Sequence, residues 1–167
     1  MSGPFIGSEA IAQGMTWGVL QRGHTRVFRN VYVPAGTDLS AEVRAESAWL
    51  WSVRRGVVGG FGAAALHGSK WVDQGQAIDL YHQNRHRLAG LHPRADRLED
   101  ADICVLRGVA VTTPERTALD LACWYPMVKA IAAIDALARA TQLAIADVVL
   151  LADRARGRRG IGRARRA

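Results

Sequence analysis

Lysine is nearly missing from this 167-residue chain: Lys70 and Lys129 are its two copies, and every other basic residue is arginine. Cysteine is equally sparse. Cys104 and Cys123 have no metal-like spacing, which reads as two buried thiols in a reducing, cytoplasmic setting rather than a disulfide framework. No apolar run approaches the roughly 18 residues that span a bilayer, so no membrane association is expected. Met1 to Gly14 lacks both a basic start and a continuous apolar stretch, so a secretory signal is not expected either. No internal repeat is visible, and the length suits one compact domain or one domain with a small appendage.

The net charge is +7, with 49% hydrophobic residues. Its location matters more than its size. Residues 154–167 carry seven arginines and no acid, and the rest of the chain balances to zero. A high isoelectric point argues for nucleic acid when it comes from a folded face. A terminal run is more simply a solvated end.

Ser8 to Gly14 reads as a two-turn helix with Ser8 as N-cap and Gly14 as stop. Thr16 to Arg22 reads as a second short helix capped by Thr16 and ended by Gly23. Thr25 to Pro34 alternates like a strand, and Arg29-Asn30 near its middle suits a hairpin turn. Ser40 caps a helix expected to run to Arg55, with Glu42 in its first turn and Arg54-Arg55 in its last, an order that suits the helix dipole. Val43, Ser47, Leu50 and Trp51 are its expected buried stripe.

Val57-Val58 and Ala77 to Tyr81 read as strands, with a short helix from Phe61 to His67 between them. Leu88 to Leu106 suggests further short strands around turns at Pro93 and Glu99-Asp100, followed by a strand at Val109 to Val111. Thr112 and Glu115 have the spacing of a capping box, with Pro114 in the first turn of a helix reaching Tyr125. Two more helices are expected. Met127 to Arg139 would turn Ile131, Ile134 and Ala138 inward, with Leu137 a further candidate, and Ile145 to Arg156 would turn Val148, Val149, Leu151 and Ala152 inward. Arg158 to Ala167 has almost no apolar content to bury, and reads as a linker or truncated tail.

Few residues suggest chemistry. Gly60-Phe61-Gly62-Ala63-Ala64-Ala65 matches G-x-G-x-x-A after a strand. A dinucleotide site needs a longer helix than Gly68 permits, so a tight strand-to-helix turn is the better reading. The weaker P-loop likeness of Gly62 to Lys70 has the wrong spacing. His82, His86 and His92 surround Arg85 and Arg87. Their spacing loses its metal-binding meaning in a strand-to-loop segment, which leaves a polar loop or a phosphate-touching one. Arg116 and Asp120 read as a surface i,i+4 pair. No nucleophile–base arrangement and no catalytic carboxylate pair can be argued, so no enzyme activity, metal or cofactor is expected.

The N-terminal unit is the DNA-binding candidate. Two short helices joined by Gly14-Met15, then a hairpin, have the order of a helix-turn-helix with a wing. The second helix would present Thr16, Gln21 and Arg22 to the major groove, and Arg26 and Arg29 on the wing would touch phosphates.

Three stretches resemble one family. Gly3-Pro4-Phe5-Ile6-Gly7-Ser8-Glu9-Ala10 leading to Val31-Tyr32-Val33-Pro34 is similar to the N-terminal winged-helix region of AbiEi-type antitoxins. Ala63-Ala64-Ala65-Leu66-His67-Gly68 resembles their S-A-A-x-L-H-G helix, and Val109 to Ala122 resembles their V-T-T-P-x-R-T-x-x-D-L stretch. The resemblance is to the actinobacterial kind, often fused to a very-short-patch-repair-like endonuclease domain. It implies a type IV toxin–antitoxin system, in which the antitoxin represses its own promoter and the cognate toxin is a nucleotidyltransferase. The expected architecture is α+β: a reduced winged helix-turn-helix over 1–36, a small mixed α/β domain over 37–157 that ends in a helical bundle, and an Arg-rich tail over 158–167. The alternative is a truncated interaction or targeting module of an endonuclease protein, without nuclease activity of its own.

Overall fold

The computed structural model describes residues 3–70, 72–83, 88–155 and 157–166. The architecture is α+β. A small N-terminal region around a three-stranded sheet leads into a mixed five-stranded sheet, and C-terminal helices follow.

The N-terminal region runs β1 (Phe5–Ile6), α1 (Gly7–Ala12), α2 (Trp17–Gly23), β2 (His24–Phe28) and β3 (Val31–Pro34), with the antiparallel sheet order β1-β3-β2. β1 escaped the sequence pattern because two residues show no period. The Arg29-Asn30 turn forms, with Asn30 at φ 61°. Ser8 is not the N-cap of α1: the helix begins at Gly7, with Ile6 in the cap position. Instead Asn30 Oδ1 accepts from the Ser8 N–H at 3.0 Å and its amide donates to Ser8 Oγ at 2.9 Å, so the hairpin turn caps the helix from outside. Gly7 is required here, because a Cβ would lie 2.7 Å from the Tyr32 ring.

α3 (Ala41–Trp51) is capped by Ser40, whose Oγ accepts from the Val43 N–H. It stops four residues before the expected end. Val53 and Arg54 take φ values of 55° and 63°, so Arg54-Arg55 do not form a basic last turn. Arg54 turns instead to Glu9, with two bonds of 2.6 and 2.7 Å that tie α1 to the end of α3. The buried stripe is Ala41, Ala45, Ser47, Ala48 and Leu50, with Val43 and Trp51 only half-buried. Small residues on this face let α3 approach both sheets closely. Ile6, Phe28 and Val31 from one sheet join Val58, Ile78, Leu80 and Val111 from the other in one core.

The larger sheet comprises β4 (Val57–Gly59), β5 (Ile78–Tyr81), β6 (Leu91–Arg94), β7 (Ile103–Leu106) and β8 (Val109–Thr112), ordered β6-β5-β4-β8-β7. β4 is antiparallel to β5 and parallel to β8. Pro93 is not a turn residue; it lies inside β6, an edge strand, where its missing N–H breaks no ladder. α4 (Gly60–Leu66) leaves β4 directly and is buried along its whole length.

α5 (Pro114–Trp124) is the central helix, and α6 (Met127–Thr141), α7 (Ile145–Arg154) and α8 (Ile161–Ala164) flank it. Its cap is Thr113, one residue later than expected, which accepts from the Arg116 N–H. Thr112 stays in β8, where its hydroxyl meets that of Thr117 at 2.7 Å. In α6 the buried residues are Ala130 and Leu137, while Ile131 faces outward; in α7 Ala152 is buried and Val149 faces outward. Ile161 and Ala164 of α8 pack near Leu119 and Cys123. The C-terminal arginine segment thus has apolar anchors that composition alone had concealed.

Candidate nucleic-acid interface and the buried ion network

All five sequence-identified residues are exposed on the N-terminal region. Thr16 caps α2, its Oγ accepting from the Val19 N–H at 3.3 Å. Gln21 and Arg22 lie on α2, Arg26 on β2 and Arg29 in the hairpin turn. α2 runs straight into β2, so helix and hairpin are held in one piece. Leu20 pins the helix, fully buried with Phe5, Ala10 and Tyr32.

The electrostatics of this region follow from one missing charge. Glu9 is the single acid in residues 1–37, and Arg54 claims it. The hydrogen bonds from Arg54 hold the Glu9 carboxyl below its ordinary range. Arg22, Arg26 and Arg29 form no ion pair among the described residues. The one carboxylate that residues 3–37 carry is therefore paired with Arg54, just past the end of α3, and leaves the arginines of this region in excess. Sequence reading missed Trp17 and Val19, which are 59% and 49% exposed on the same helix.

A second constellation lies inside the larger sheet. Arg116 and Asp120 are not a surface pair; both are buried. Arg116 Nη1 reaches Asp102 at 2.5 Å and its Nε reaches Asp120 at 2.9 Å. Asp120 also accepts from the Tyr81 hydroxyl at 2.6 Å and from Arg158 Nη2 at 2.6 Å. Beside it, Asp79 accepts from Arg94 at 2.6 Å and from the Tyr125 hydroxyl at 2.6 Å. Trp124 joins the two halves: the Arg94 guanidinium sits 4.0 Å from its ring centre and that of Arg158 5.6 Å. Three carboxylates thus face three guanidiniums. Such a network costs desolvation and is kept only when its members are paired.

Burial pushes the Asp120 carboxyl upward, and the Arg158 and Arg116 guanidiniums oppose that shift. Burial and the neighbouring carboxylates push the Tyr81 and Tyr125 hydroxyls up as well, so both remain protonated donors. Each buried carboxylate already holds an arginine. The arrangement is chemically suited to locking α5 to β5, the 96–102 segment and the C-terminal segment. Arg158 carries the last of these attachments, although its Nε and Nη1 are buried without a hydrogen-bond partner among the described residues.

The glycine-rich turn serves the same network. Gly60 has φ +53°, and a Cβ there would overlap the Asp79 carboxylate; a Cβ on Gly59 would press on the Tyr81 ring at 2.9 Å. These glycines make room for side chains of this chain. Burial also pushes the Cys123 and Cys104 thiols up. Of the histidines, His82 stacks near Trp51 at 5.8 Å, His92 Nδ1 is 3.7 Å from Asp79, and His86 lies outside the described residues, as do Arg85 and Arg87. No cluster of three or more His, Cys, Asp or Glu side chains is placed to hold a metal among the described residues. No described helix is long and apolar enough to cross a membrane.

A region of two short helices and a hairpin thus precedes an α+β body tied together by a buried ion network. The chain belongs to the family of the AbiEi antitoxin C-terminal domain, whose model matches residues 57–167. That span starts at β4 and contains every residue of the ion network; the cationic N-terminal region precedes it. No curated protein and no solved structure matches the chain.

Proposed function

We propose that this protein is a DNA-binding, antitoxin-like transcriptional repressor of a type IV toxin–antitoxin system. Residues 1–36 act as a reduced winged helix, with α2 in the major groove of the promoter of its own gene and the β2–β3 hairpin as the wing. Thr16, Gln21 and Arg22 face the groove, while Arg26 and Arg29 meet phosphates. The matched C-terminal domain supplies the antitoxin role toward a cognate toxin, a nucleotidyltransferase in this reading.

One observation carries the DNA reading: among the described residues three arginines around α2 and the hairpin form no ion pair, and the one acid within residues 3–37 is held by Arg54. Unpaired surface guanidiniums on a rigid piece are what a phosphate backbone recruits. The experiment is titration of the gene's upstream DNA at low salt. Retarded migration or raised anisotropy is expected, weakening steeply as salt rises. Absence of binding at low salt refutes the reading.

A further inference from the structure

The outward surface of α2 is not wholly polar. Trp17 and Val19 are largely exposed, although the helix buries Leu20 completely. Residues four apart share a flank of a helix, so Trp17 and Gln21 lie together on one side. Gly18 offers no side chain, and a terminal nitrogen of Arg22 lies 3.4 Å from where its Cβ would be. An indole beside a glycine and an arginine leaves a shallow surface with an apolar flank. An exposed indole offers a large, rigid apolar face beside polar groups, a combination that contact surfaces use.

Charge selects the occupant. Arg22, Arg26 and Arg29 form no ion pair among the described residues and Glu9 is taken by Arg54, so this surface favours a polyanion. A duplex major groove offers such a surface an apolar target of its own, the C5-methyl group of thymine, which apolar side chains read. It also offers adenine N6 and N7, which a Gln side chain engages in bidentate fashion. Both groups belong to the same base pair type.

We propose that α2 selects A·T pairs in the major groove, with Trp17 packed on a thymine methyl and Gln21 hydrogen-bonded to adenine. The proposal rests on the N-terminal region binding DNA. Trp17 and Gln21 are then its specificity-determining residues, whereas Arg26 and Arg29 contribute affinity without sequence preference.

The test uses the full chain and upstream promoter DNA prepared three ways: normal, with uracil in place of thymine, and with 7-deazaadenine in place of adenine. Uracil keeps pairing and charge and removes only the methyl. The wild-type protein is expected to bind uracil DNA about fivefold or more weakly, the scale of a lost methyl contact or two. Trp17→Ala should bind normal DNA more weakly by a similar factor and no longer distinguish uracil from thymine. Its melting temperature should match the wild type, since the side chain is exposed. Likewise 7-deazaadenine should weaken the wild type and not Gln21→Ala. Equal wild-type affinity for thymine and uracil DNA, or full discrimination retained by Trp17→Ala, overturns the Trp17 assignment. Wild-type indifference to 7-deazaadenine overturns that of Gln21. Failure to bind normal DNA at low salt refutes the DNA reading itself, and the specificity proposal with it.

Discussion

Replacing Asp120 with Asn keeps the shape of the side chain and removes one negative charge from a network that balances three against three. Asn Oδ1 can still accept from Arg116 and Arg158, where the carboxylate oxygen now sits at 2.9 and 2.6 Å. Its amide then faces the Tyr81 hydroxyl, which can turn to accept. Hydrogen bonding therefore survives in outline, and the loss is mainly Coulombic. Arg116 keeps Asp102 at 2.5 Å, but Arg158 keeps only Asp96 at 3.6 Å. Arg158 is then a buried charge with only a distant, partly exposed partner, and breaking a buried pair in this way costs about 3–5 kcal/mol. At this chain length that corresponds to a fall in Tm of roughly 6–20 °C. Arg158→Met should cost less, because Asp120 retains Arg116 and Tyr81 and two unmet guanidinium nitrogens leave the interior. The double variant should be more stable than the sum of the singles predicts, by about 1–3 kcal/mol. Urea denaturation of the four proteins measures all three quantities. A loss below about 1 kcal/mol for Asp120→Asn, or strict additivity with Arg158→Met, would refute the network as a lock.

Two further outcomes follow from neighbouring geometry. Gly60→Ala should destabilise by at least about 3 kcal/mol in the same urea assay, since it places a side chain at φ +53° and displaces Asp79 from Arg94 and Tyr125; a change under about 1 kcal/mol would contradict this. Burial lowers the pKa of His67 from its ordinary 6.5, while its Nε2 lies 2.8 Å from the Thr112 carbonyl oxygen. The unfolded chain therefore takes up the proton before the folded one, so stability falls as pH drops below about 6.5. His67→Gln should remove that component, read as a smaller shift in urea midpoint between pH 7.5 and 5.5; an unchanged shift would count against it.

Caps and breakers made much of the fold legible. Ser40 and Thr16 cap the helices assigned to them, and Gly14 and Gly68 stop α1 and α4 in left-handed conformations. Where the outline slipped, tertiary contacts had overridden local signals. Arg54 leaves the helix to reach Glu9, 45 residues away in sequence. The ion network was illegible for the same reason: an i,i+4 Arg–Asp pair looks identical exposed or buried, and its partners Tyr81, Asp79, Asp102 and Arg158 come from distant segments. One clue was present. Ala118, Leu119, Leu121, Ala122 and Cys123 surround the pair with apolar residues on every side of α5, the pattern of a helix buried all round. On α6 and α7 the apolar content is wide enough to suit either face, and the pattern could not decide that Ile131 and Val149 would face outward.

The most direct test of the central claim, that a cationic N-terminal surface holds promoter DNA, is the salt dependence of that binding. Each phosphate contact contributes about −0.9 to the slope of log K against log salt. Replacing Arg22, Arg26 and Arg29 together with Gln should weaken promoter binding and flatten the slope by roughly 2–3, with Tm unchanged because none of the three forms an ion pair among the described residues. The same slope in the wild type and the triple variant would place the DNA contacts elsewhere and contradict the account.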